Sequence, residues 1–162
     1  MFPALELRPV DNTNWQAVAR LSVTQEQENY VSSNAWSLLQ AAHEQWMKPL
    51  AIYVAGSPVG FVLWGRKPSD GQLWLMRLMV DAHAQGHGYG GAALDEMIHR
   101  ARAEGADVLY LSYVPGNAVA ERLYSHRGFV PTGEIVVGEL AELEHEPDEV
   151  VFCLRLAPGA AS

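Results

Sequence analysis

The stretch QGHGYGG, residues 85–91, decides how the fold of this chain is interpreted. Gly86, Gly88 and Gly91 fit the G-x-G-x-x-G pattern of a dinucleotide-binding turn, and a helix is predicted directly after it. That pattern also needs a strand that ends at the first glycine and an acidic residue about 20 residues further on. Here the preceding strand ends near Val80, and the next strand ends in SYVPGN, which contains no carboxylate. The turn therefore does not meet the requirements of a dinucleotide site.

The same glycines keep the properties of a phosphate site. Glycine permits a tight turn, and the free amides at the start of a helix, together with the helix dipole, attract anions. A P-loop is excluded because no Gly-Lys-Ser/Thr sequence follows. A glycine-rich turn that only reverses the chain is the alternative. The stretch therefore predicts an anion-binding turn whose ligand the neighbouring sequence has to define.

Around this turn the sequence predicts a mixed sheet with helices on its faces. Apolar runs predict strands at residues 5–10, 49–55, 58–65, 72–80, 107–114, 129–137 and 149–156. Helical spacing of apolar residues predicts helices at residues 12–21 and 33–46, one whose buried stripe is Leu94, Met97, Ile98 and Ala101, and one from Asn117 to Gly128. The predicted order is β-α-α-β-β-β-α-β-α-β-β, an α/β (α+β) arrangement.

The composition is that of a globular protein. Hydrophobic residues make up 49% and charged residues 19% of the 162 residues. This length predicts one domain, residues 1–157, followed by a short tail at residues 158–162. No apolar run approaches the ~20 residues of a membrane span, and the N-terminus does not resemble a secretory signal. The single cysteine, Cys153, forms no internal disulfide and suits the cytoplasm.

The charge of the chain indicates which partners to expect. The net charge is −8, with 19 acidic against 11 basic residues, and no Lys/Arg cluster is visible. Nucleic acid is therefore not an expected partner. An acidic surface concentrates cationic ligands, although the same charge can simply keep a protein in solution.

Two stretches resemble the signatures of the GNAT superfamily of N-acetyltransferases. QGHGYG is similar to its R/Q-x-x-G-x-G/A acetyl-CoA motif and follows the apolar strand LWLMRLMV. NAVAERLYSHRGF is similar to its second signature, through Asn117, Ala120, Tyr124, Gly128 and Phe129. The resemblance covers nearly the whole chain. It implies the GNAT fold, which is a central, mixed and mostly antiparallel sheet of about seven strands with four helices on its faces. It also implies that Gly91 fits the dinucleotide pattern by chance.

Within the superfamily, the chain most resembles bacterial polyamine (spermine/spermidine) N-acetyltransferases. The similar stretches are ENYVSSNAWSLLQA, PLAIY, VGF, RLMVD and SYVPGNAVAERLY. The function implied is transfer of an acetyl group from acetyl-CoA, the co-substrate, to a primary amine of a small cationic acceptor, a polyamine above all. The transfer is direct, in a ternary complex without a metal. The expected partner is this small-molecule amine, with no nucleic acid and no membrane, and a homodimer is left open.

Other functions stay open at this point. Within the same chemistry, the acceptor can be an amino acid, an aminoglycoside or a peptide N-terminus. From another class, the chain can be a non-catalytic acyl-CoA-binding sensor, against which the presence of Tyr124 argues. A dinucleotide-dependent oxidoreductase is a distant third reading of the glycine turn.

The resemblance also implies an acetyl-CoA site. Backbone amides of the glycine turn hold the pyrophosphate, the edge of the preceding strand pairs with the pantetheine amides, and Asn117 bonds the pantetheine arm, a role compatible with a plain N-cap. The residues expected at this site are Leu78, Met79, Val80, Gln85, Gly86, His87, Gly88, Tyr89, Gly90, Gly91, Asn117 and Tyr124.

Tyr124 is the expected catalytic residue. When the thioester collapses, the leaving thiolate needs a proton, which a phenol can donate. Without the family signature, a tyrosine at this helical spacing is more often a core residue.

The acceptor amine must lose a proton, because an alkylammonium has a pKa of about 10.4. Related enzymes often carry a glutamate at the start of the fourth strand, but Gln72 stands at that position here. A water relay or another acid is therefore expected, with Glu26, Glu28 and Glu44 as candidates. Candidate walls for the acceptor are Tyr30, Trp36 and Trp74, and solvated acids and core aromatics are the alternative for all six.

Three further features of the sequence say less about the site. The acidic segment at residues 138–149 can rim a polycation entrance, but a solvated loop is preferred. His83 and His87 flank a turn, so no metal site is expected. Cys153 is expected to be a small core residue.

Overall fold

The computed structural model describes residues 4–137 and 147–157. The strands are β1 (Leu5–Pro9), β2 (Met47–Val54), β3 (Ser57–Arg66), β4 (Leu73–Val80), β5 (Val108–Tyr113), β6 (Val130–Val136) and β7 (Glu149–Arg155). The helices are α1 (Trp15–Arg20), α2 (Asn34–His43), α3 (Tyr89–Ala103) and α4 (Ala118–Ser125). Short 3-10 turns lie at Gln25–Gln27 and Ala82–Ala84. The predicted order of elements and the α/β fold class are confirmed, and the main differences are element ends.

All seven strands belong to one sheet, in the order β1-β2-β3-β4-β5-β7-β6. Every neighbouring pair is antiparallel except β4 and β5, which run parallel. These two strands pair only at their first residues, the last pair being Leu75 with Leu111. Beyond that pair, β4 continues to Val80 and β5 to Tyr113 without bonding to each other. The sheet therefore opens into a gap between residues 76–80 and residues 112–113.

A β-bulge explains where the gap begins. In the β3–β4 ladder Leu63 pairs with Arg77 and Trp64 with Leu75, which leaves Met76 as the extra residue. A bulge bends its strand and increases the local twist. Because the bulge directly follows the last β4–β5 pair, it turns the end of β4 away from β5.

Each face of the sheet carries its own core. On one face, α3 and α4 cover a cluster that includes Leu75, Leu111 and Tyr124. On the other face, α1 and α2 cover a cluster that includes Val18 and Phe61. The predicted buried stripe of α3 (Leu94, Met97, Ile98 and Ala101) is confirmed. Among the residues described, no helix is long and apolar enough to cross a membrane.

Candidate active site

A cavity of about 310 Å³ lies where β4 and β5 diverge. Four segments form its wall: the end of β4, the glycine turn with the start of α3, the first turns of α4, and the connection between α1 and α2. The lining residues are Val23, Gln27, Tyr30, Val31, Leu78, Met79, Val80, Ala84, Gln85, Gly86, Gly88, Tyr89, Gly90, Gly91, Asn117, Val119, Ala120, Leu123 and Tyr124.

The glycine turn presents free backbone donors to this cavity. Gly86 and Gly88 have φ angles of 84° and 79°, a region that favours glycine. Gly88 is the N-cap of α3 and offers no side-chain oxygen, so no side chain caps the helix start. The amide of Ala92 bonds the Gly88 carbonyl, and the amides before it at the helix start have no partner within the helix. Unpaired amides and the positive end of the helix dipole make this turn suitable for a phosphate group.

Gly91 leaves room for a neighbouring side chain. A Cβ atom at Gly91 would come within 2.5 Å of a terminal guanidinium nitrogen of Arg127. The Arg127 side chain bonds Asp95 at 2.7 Å and the Leu123 carbonyl at 3.2 Å, and it thereby joins α3 to the end of α4. Gly91 thus allows the two helices that border the cavity to approach each other.

Gln85 connects the glycine turn to the opposite wall of the cavity. Its amide nitrogen donates to the Val80 carbonyl at 2.9 Å and to Gln27 Oε1 at 2.8 Å, and Gln27 donates back to Gln85 Oε1 at 3.2 Å. Nearby, the Ser22 amide donates to Asp81 Oδ1 at 3.0 Å. The connection between α1 and α2 is therefore fastened to the turn that follows β4.

Tyr124 lies in the wall of the cavity with its ring buried. Tyr113 and Phe129 contact it, with ring centroids 5.8 and 5.9 Å away. Burial raises the pKa of Tyr124, and the charge of Glu149 and the neighbouring Tyr113 raise it further. The phenol consequently stays protonated throughout the physiological pH range.

Asn117 has a structural role in the same wall. It is the N-cap of α4, and its side-chain oxygen accepts a bond from the Ala120 amide at 3.2 Å. Its side-chain nitrogen is not used by this cap and can reach a ligand in the cavity.

The residues expected to bind acetyl-CoA come together around this cavity, with one exception. His87 does not line it; its Nδ1 lies 3.1 Å from the Ala84 carbonyl oxygen, and its ring stacks on Tyr89 with centroids 5.4 Å apart. Residues that sequence analysis did not single out also line the cavity, Gln27 above all. Leu123 could have been found, since it shares the helix stripe of Ala120 and Tyr124.

The expected acceptor residues do not gather in the same way. Of this set, Tyr30 lines the cavity, and its hydroxyl lies near Gly116, 4.0 Å from the position a Cβ atom would take there. Glu26 and Glu28 are exposed near the 3-10 turn at Gln25–Gln27, and Trp36 is exposed on α2.

Two further acceptor candidates have other partners. Glu44 accepts a bond from the Trp46 indole at 3.0 Å. Trp74 stacks on Tyr110 at 5.4 Å, and its indole donates to Gln72 Oε1 at 3.3 Å. Gln72, at the position where a base was expected, is thus a neutral partner of Trp74.

A carboxylate that sequence analysis named only as the end of the acidic segment at residues 138–149 acts on Tyr124 through its charge. Glu149, half-buried at the start of β7, accepts a short hydrogen bond from the Ser112 hydroxyl. No local signal in the sequence identifies this pair, because it depends on the pairing of β5 with β7.

The remaining sequence features bear little on the site. Within residues 4–137 and 147–157, no three His, Cys, Asp or Glu residues are grouped to hold a metal. Cys153 is half-buried in β7. Most of the acidic segment predicted at residues 138–149, and the tail at 158–162, lie outside the described residues.

Known proteins resemble this chain in both sequence and structure. The sequence profile of the acetyltransferase (GNAT) family matches residues 15–129. A probable spermine N(1)-acetyltransferase of Bacillus subtilis subsp. natto (strain BEST195) is 33% identical over 139 residues, covering 82% of this chain and 91% of that protein. The spermine/spermidine N(1)-acetyltransferase of Bacillus subtilis (strain 168) is 32% identical over the same shares.

Solved structures share the fold at lower identity. The spermidine N-acetyltransferase of Vibrio cholerae, in complex with CoA and spermine, gives a TM-score of 0.71 at 16% identity, covering 94% of this chain and 95% of that one. The ribosomal-protein-S18-alanine N-acetyltransferase of Escherichia coli gives 0.70 at 17% identity, covering 98% and 99%.

The family match and the sequence relatives define an acyl-transferring enzyme rather than a dinucleotide-dependent one. The chain belongs to the acetyltransferase (GNAT) family and is an acetyl-CoA-dependent N-acetyltransferase.

Proposed function

We propose that the protein transfers the acetyl group of acetyl-CoA to a primary amine of a small cationic acceptor, a polyamine above all, by direct attack in a ternary complex. The observation that carries the proposal is that one cavity contains both the unpaired amides of the glycine turn and the Tyr124 side chain. The amides can bind the pyrophosphate of a CoA ester, and the Tyr124 hydroxyl can protonate the leaving thiolate.

The gap in the sheet suits the pantetheine arm. Residues 76–80 have backbone groups on their β5 side that no strand pairs. An extended ligand with amide groups can bond to such an edge as an added strand does. With the pyrophosphate at Gly88 and the arm along β4, Asn117 can bond the arm, and the thioester end lies toward Tyr124.

The reaction needs a neutral amine and a proton for the leaving group. The amine nitrogen attacks the thioester carbonyl carbon, a C–N bond forms, and the C–S bond breaks when the intermediate collapses. An unpaired backbone amide of β4 polarises the carbonyl oxygen. Tyr124 donates its hydroxyl proton to the thiolate sulfur. The raised pKa of Tyr124 keeps that proton available, and a thiolate formed in the same buried place is also a stronger base than in water.

Two observations support a polyamine acceptor. The relatives at 33% and 32% identity carry the names of spermine and spermine/spermidine acetyltransferases. The net charge of −8 attracts polycations. A solved structure with the same fold, an acetyltransferase from Salmonella typhimurium, is described as modifying the N-terminal serine of ribosomal protein L7/L12, so amino acids, aminoglycosides and peptide N-termini are the competing acceptors.

The same proposal covers the organisation of the chain. We assign residues 1–157 to one acetyltransferase domain with residues 158–162 as a tail, and we place the reaction in the cytoplasm, where acetyl-CoA is available. We also propose that the protein can form a homodimer, which light scattering would test.

The test is release of free CoA thiol from acetyl-CoA with a panel of amines. Spermine and spermidine are expected to react with the highest kcat/KM. If both are inert and another amine reacts, the acceptor assignment is wrong and the chemistry stands. If CoA binds and no amine reacts, the protein is a sensor instead.

A further inference from the structure

The cavity wall contains no carboxylate among the residues described, although the acceptor must lose a proton. Glu26 and Glu28 are exposed, and Glu44 is engaged by Trp46. We propose that Glu149 is the carboxylate that binds the acceptor ammonium and takes its proton, on the face of the sheet opposite Tyr124, with Ser112 holding it in place. This inference rests on the proposed function and names the base for it.

The alternation of side chains in β5 places the two groups. Leu109, Leu111 and Tyr113 belong to the core on the α3–α4 face, where Tyr124 also lies. Successive strand residues point to opposite faces, so Ser112 points to the α1–α2 face. Tyr110, which shares that face, confirms the alternation by stacking on Trp74. Glu149, bonded to the Ser112 hydroxyl, therefore lies on the face away from Tyr124.

The position along β5 puts Glu149 at the gap. Leu111 is the last residue of β5 that pairs with β4, and Ser112 is the next residue. The pairing of Tyr113 with Val150 brings the start of β7 alongside this end of β5. Ser112, and with it Glu149, therefore borders the opening into which the thioester is expected to reach.

Electrostatics supports the same closeness. Besides burial, the charge of Glu149 raises the pKa of Tyr124, which requires that the carboxylate lie within interaction range of the phenol. A thioester carbonyl in the gap then has a carboxylate on one face and the phenol on the other. An amine can approach from the Glu149 face while the thiolate leaves toward Tyr124.

The proton balance is simple. The carboxylate of Glu149 takes one proton from R–NH3⁺ and leaves R–NH2, whose nitrogen lone pair attacks the carbonyl carbon. The second N–H proton leaves through water after the C–N bond has formed. The C–S bonding pair goes to sulfur, which receives the Tyr124 proton, and the phenolate is reprotonated from solvent. The products are the acetamide and CoA thiol, with one proton released.

The test is the pH dependence of Glu149→Gln, which keeps the size of the side chain and an oxygen for Ser112. The variant can use only free amine, whose share rises about 10-fold per pH unit below a pKa of about 10.4. We expect kcat/KM for the amine to fall about 100-fold at pH 7 and the deficit to shrink about 10-fold per unit toward pH 9. CoA binding measured by calorimetry should be unchanged.

Of the groups around Glu149, the two tyrosines do not titrate in that window. Tyr113 and Tyr124 have raised pKa values and stay neutral. Two other acidic side chains lie in this region: Glu121, whose charge acts on Tyr113, and Asp148, which precedes Glu149 in the chain. Across the gap, Arg77 on β4 is a permanent cation. On β6, Glu149 pairs with Val136, which is apolar.

Two variants separate catalysis from structure. Ser112→Ala should lower kcat/KM about 5-fold with the wild-type pH profile, as expected for a positioning residue losing one hydrogen bond. Glu134→Gln, an exposed glutamate on β6, should leave kcat/KM unchanged. Three results for Glu149→Gln would overturn the assignment: the same loss of kcat/KM at every pH, loss of CoA binding, or no loss of kcat/KM. In each case, acetylation of an amine by the wild type would leave the proposed function intact. A wild type that acetylates no amine overturns the proposed function as well.

Discussion

The side-chain amides of Gln27 and Gln85 bond each other in both directions, at 3.2 and 2.8 Å. Gln85 begins the glycine turn, and Gln27 belongs to the connection between α1 and α2 that forms the opposite wall. The pair therefore fixes the distance between the phosphate-binding turn and the wall that includes Tyr30.

Replacing Gln27 should loosen the glycine turn without removing any expected catalytic group. We expect Gln27→Ala to raise KM for acetyl-CoA about 5- to 10-fold and leave kcat within about 2-fold, since each lost hydrogen bond contributes about 1 kcal/mol. Steady-state kinetics measures this. Gln25→Ala, an exposed neighbour, is the matched control. If the double variant with Gln85→Ala shows the full sum of both effects, the two residues act independently and the interpretation is wrong.

Tyr124→Phe tests the general acid. The variant keeps the ring contacts with Tyr113 and Phe129 and loses only the hydroxyl. We expect kcat to fall about 10²- to 10³-fold, because a positioned acid contributes that order of rate. Calorimetry should give an unchanged Kd for CoA. Transfer at the wild-type rate would remove Tyr124 from the mechanism.

Gly88→Ala tests the backbone of the turn. With φ at 79° and no atom within 4 Å of an added Cβ, this substitution introduces backbone strain but no clash. We expect a loss of about 1–2 kcal/mol in the free energy of unfolding, measured by urea denaturation without ligand. Gly90→Ala is the control, because its Cβ would make only an ordinary contact of 3.8 Å with Val80. Similar losses in both variants would contradict the strain argument.

Asp81 gives a prediction on stability and pH. Burial raises the pKa of Asp81, but hydrogen bonds from the amides of Ser22 and His83 and the interaction with the His83 ring outweigh it, so the pKa lies below its ordinary value of 3.8. A lowered carboxyl pKa stabilises the fold above the unfolded pKa, and this stability is lost as the pH falls through the folded pKa. Asp81→Asn should therefore be less stable than the wild type at pH 7, and the difference should shrink as the pH falls below 3.8 and through the folded pKa. A difference that is the same at both pH values would show that ionisation plays no part.

Local patterns in the sequence predicted the elements of this fold well, whereas the glycine turn and Tyr124 were predicted as parts of one site only from the resemblance to the GNAT signatures. The apolar stripe of α3 and the strand runs depend on neighbouring residues, so the chain itself displays them. Element ends were less accurate. The second helix was predicted at residues 33–46, but it ends at His43 because β2 begins at Met47, two residues before the predicted strand start at Pro49.

Features that depend on pairing between distant segments were not predictable. The extra residue Met76 is defined only by the register of β3 against β4. The contact of Ser112 with Glu149, and that of Gly91 with Arg127, likewise join residues that no periodicity connects. The expected acids Glu26, Glu28 and Glu44 were chosen by helix position, which does not determine what a side chain faces after folding.

The parting of β4 and β5 has a consequence for the lifetime of the protein. Without its donor, the end of β4 has no strand to pair with on its β5 side, and its backbone groups there are left to water except where a side chain bonds them, as Gln85 bonds the Val80 carbonyl. A bound CoA ester would pair with that edge and would bind only the folded chain, adding about 2.7 kcal/mol at a concentration 100 times Kd. Resistance to heat and to proteolysis should then rise with the concentration of the donor.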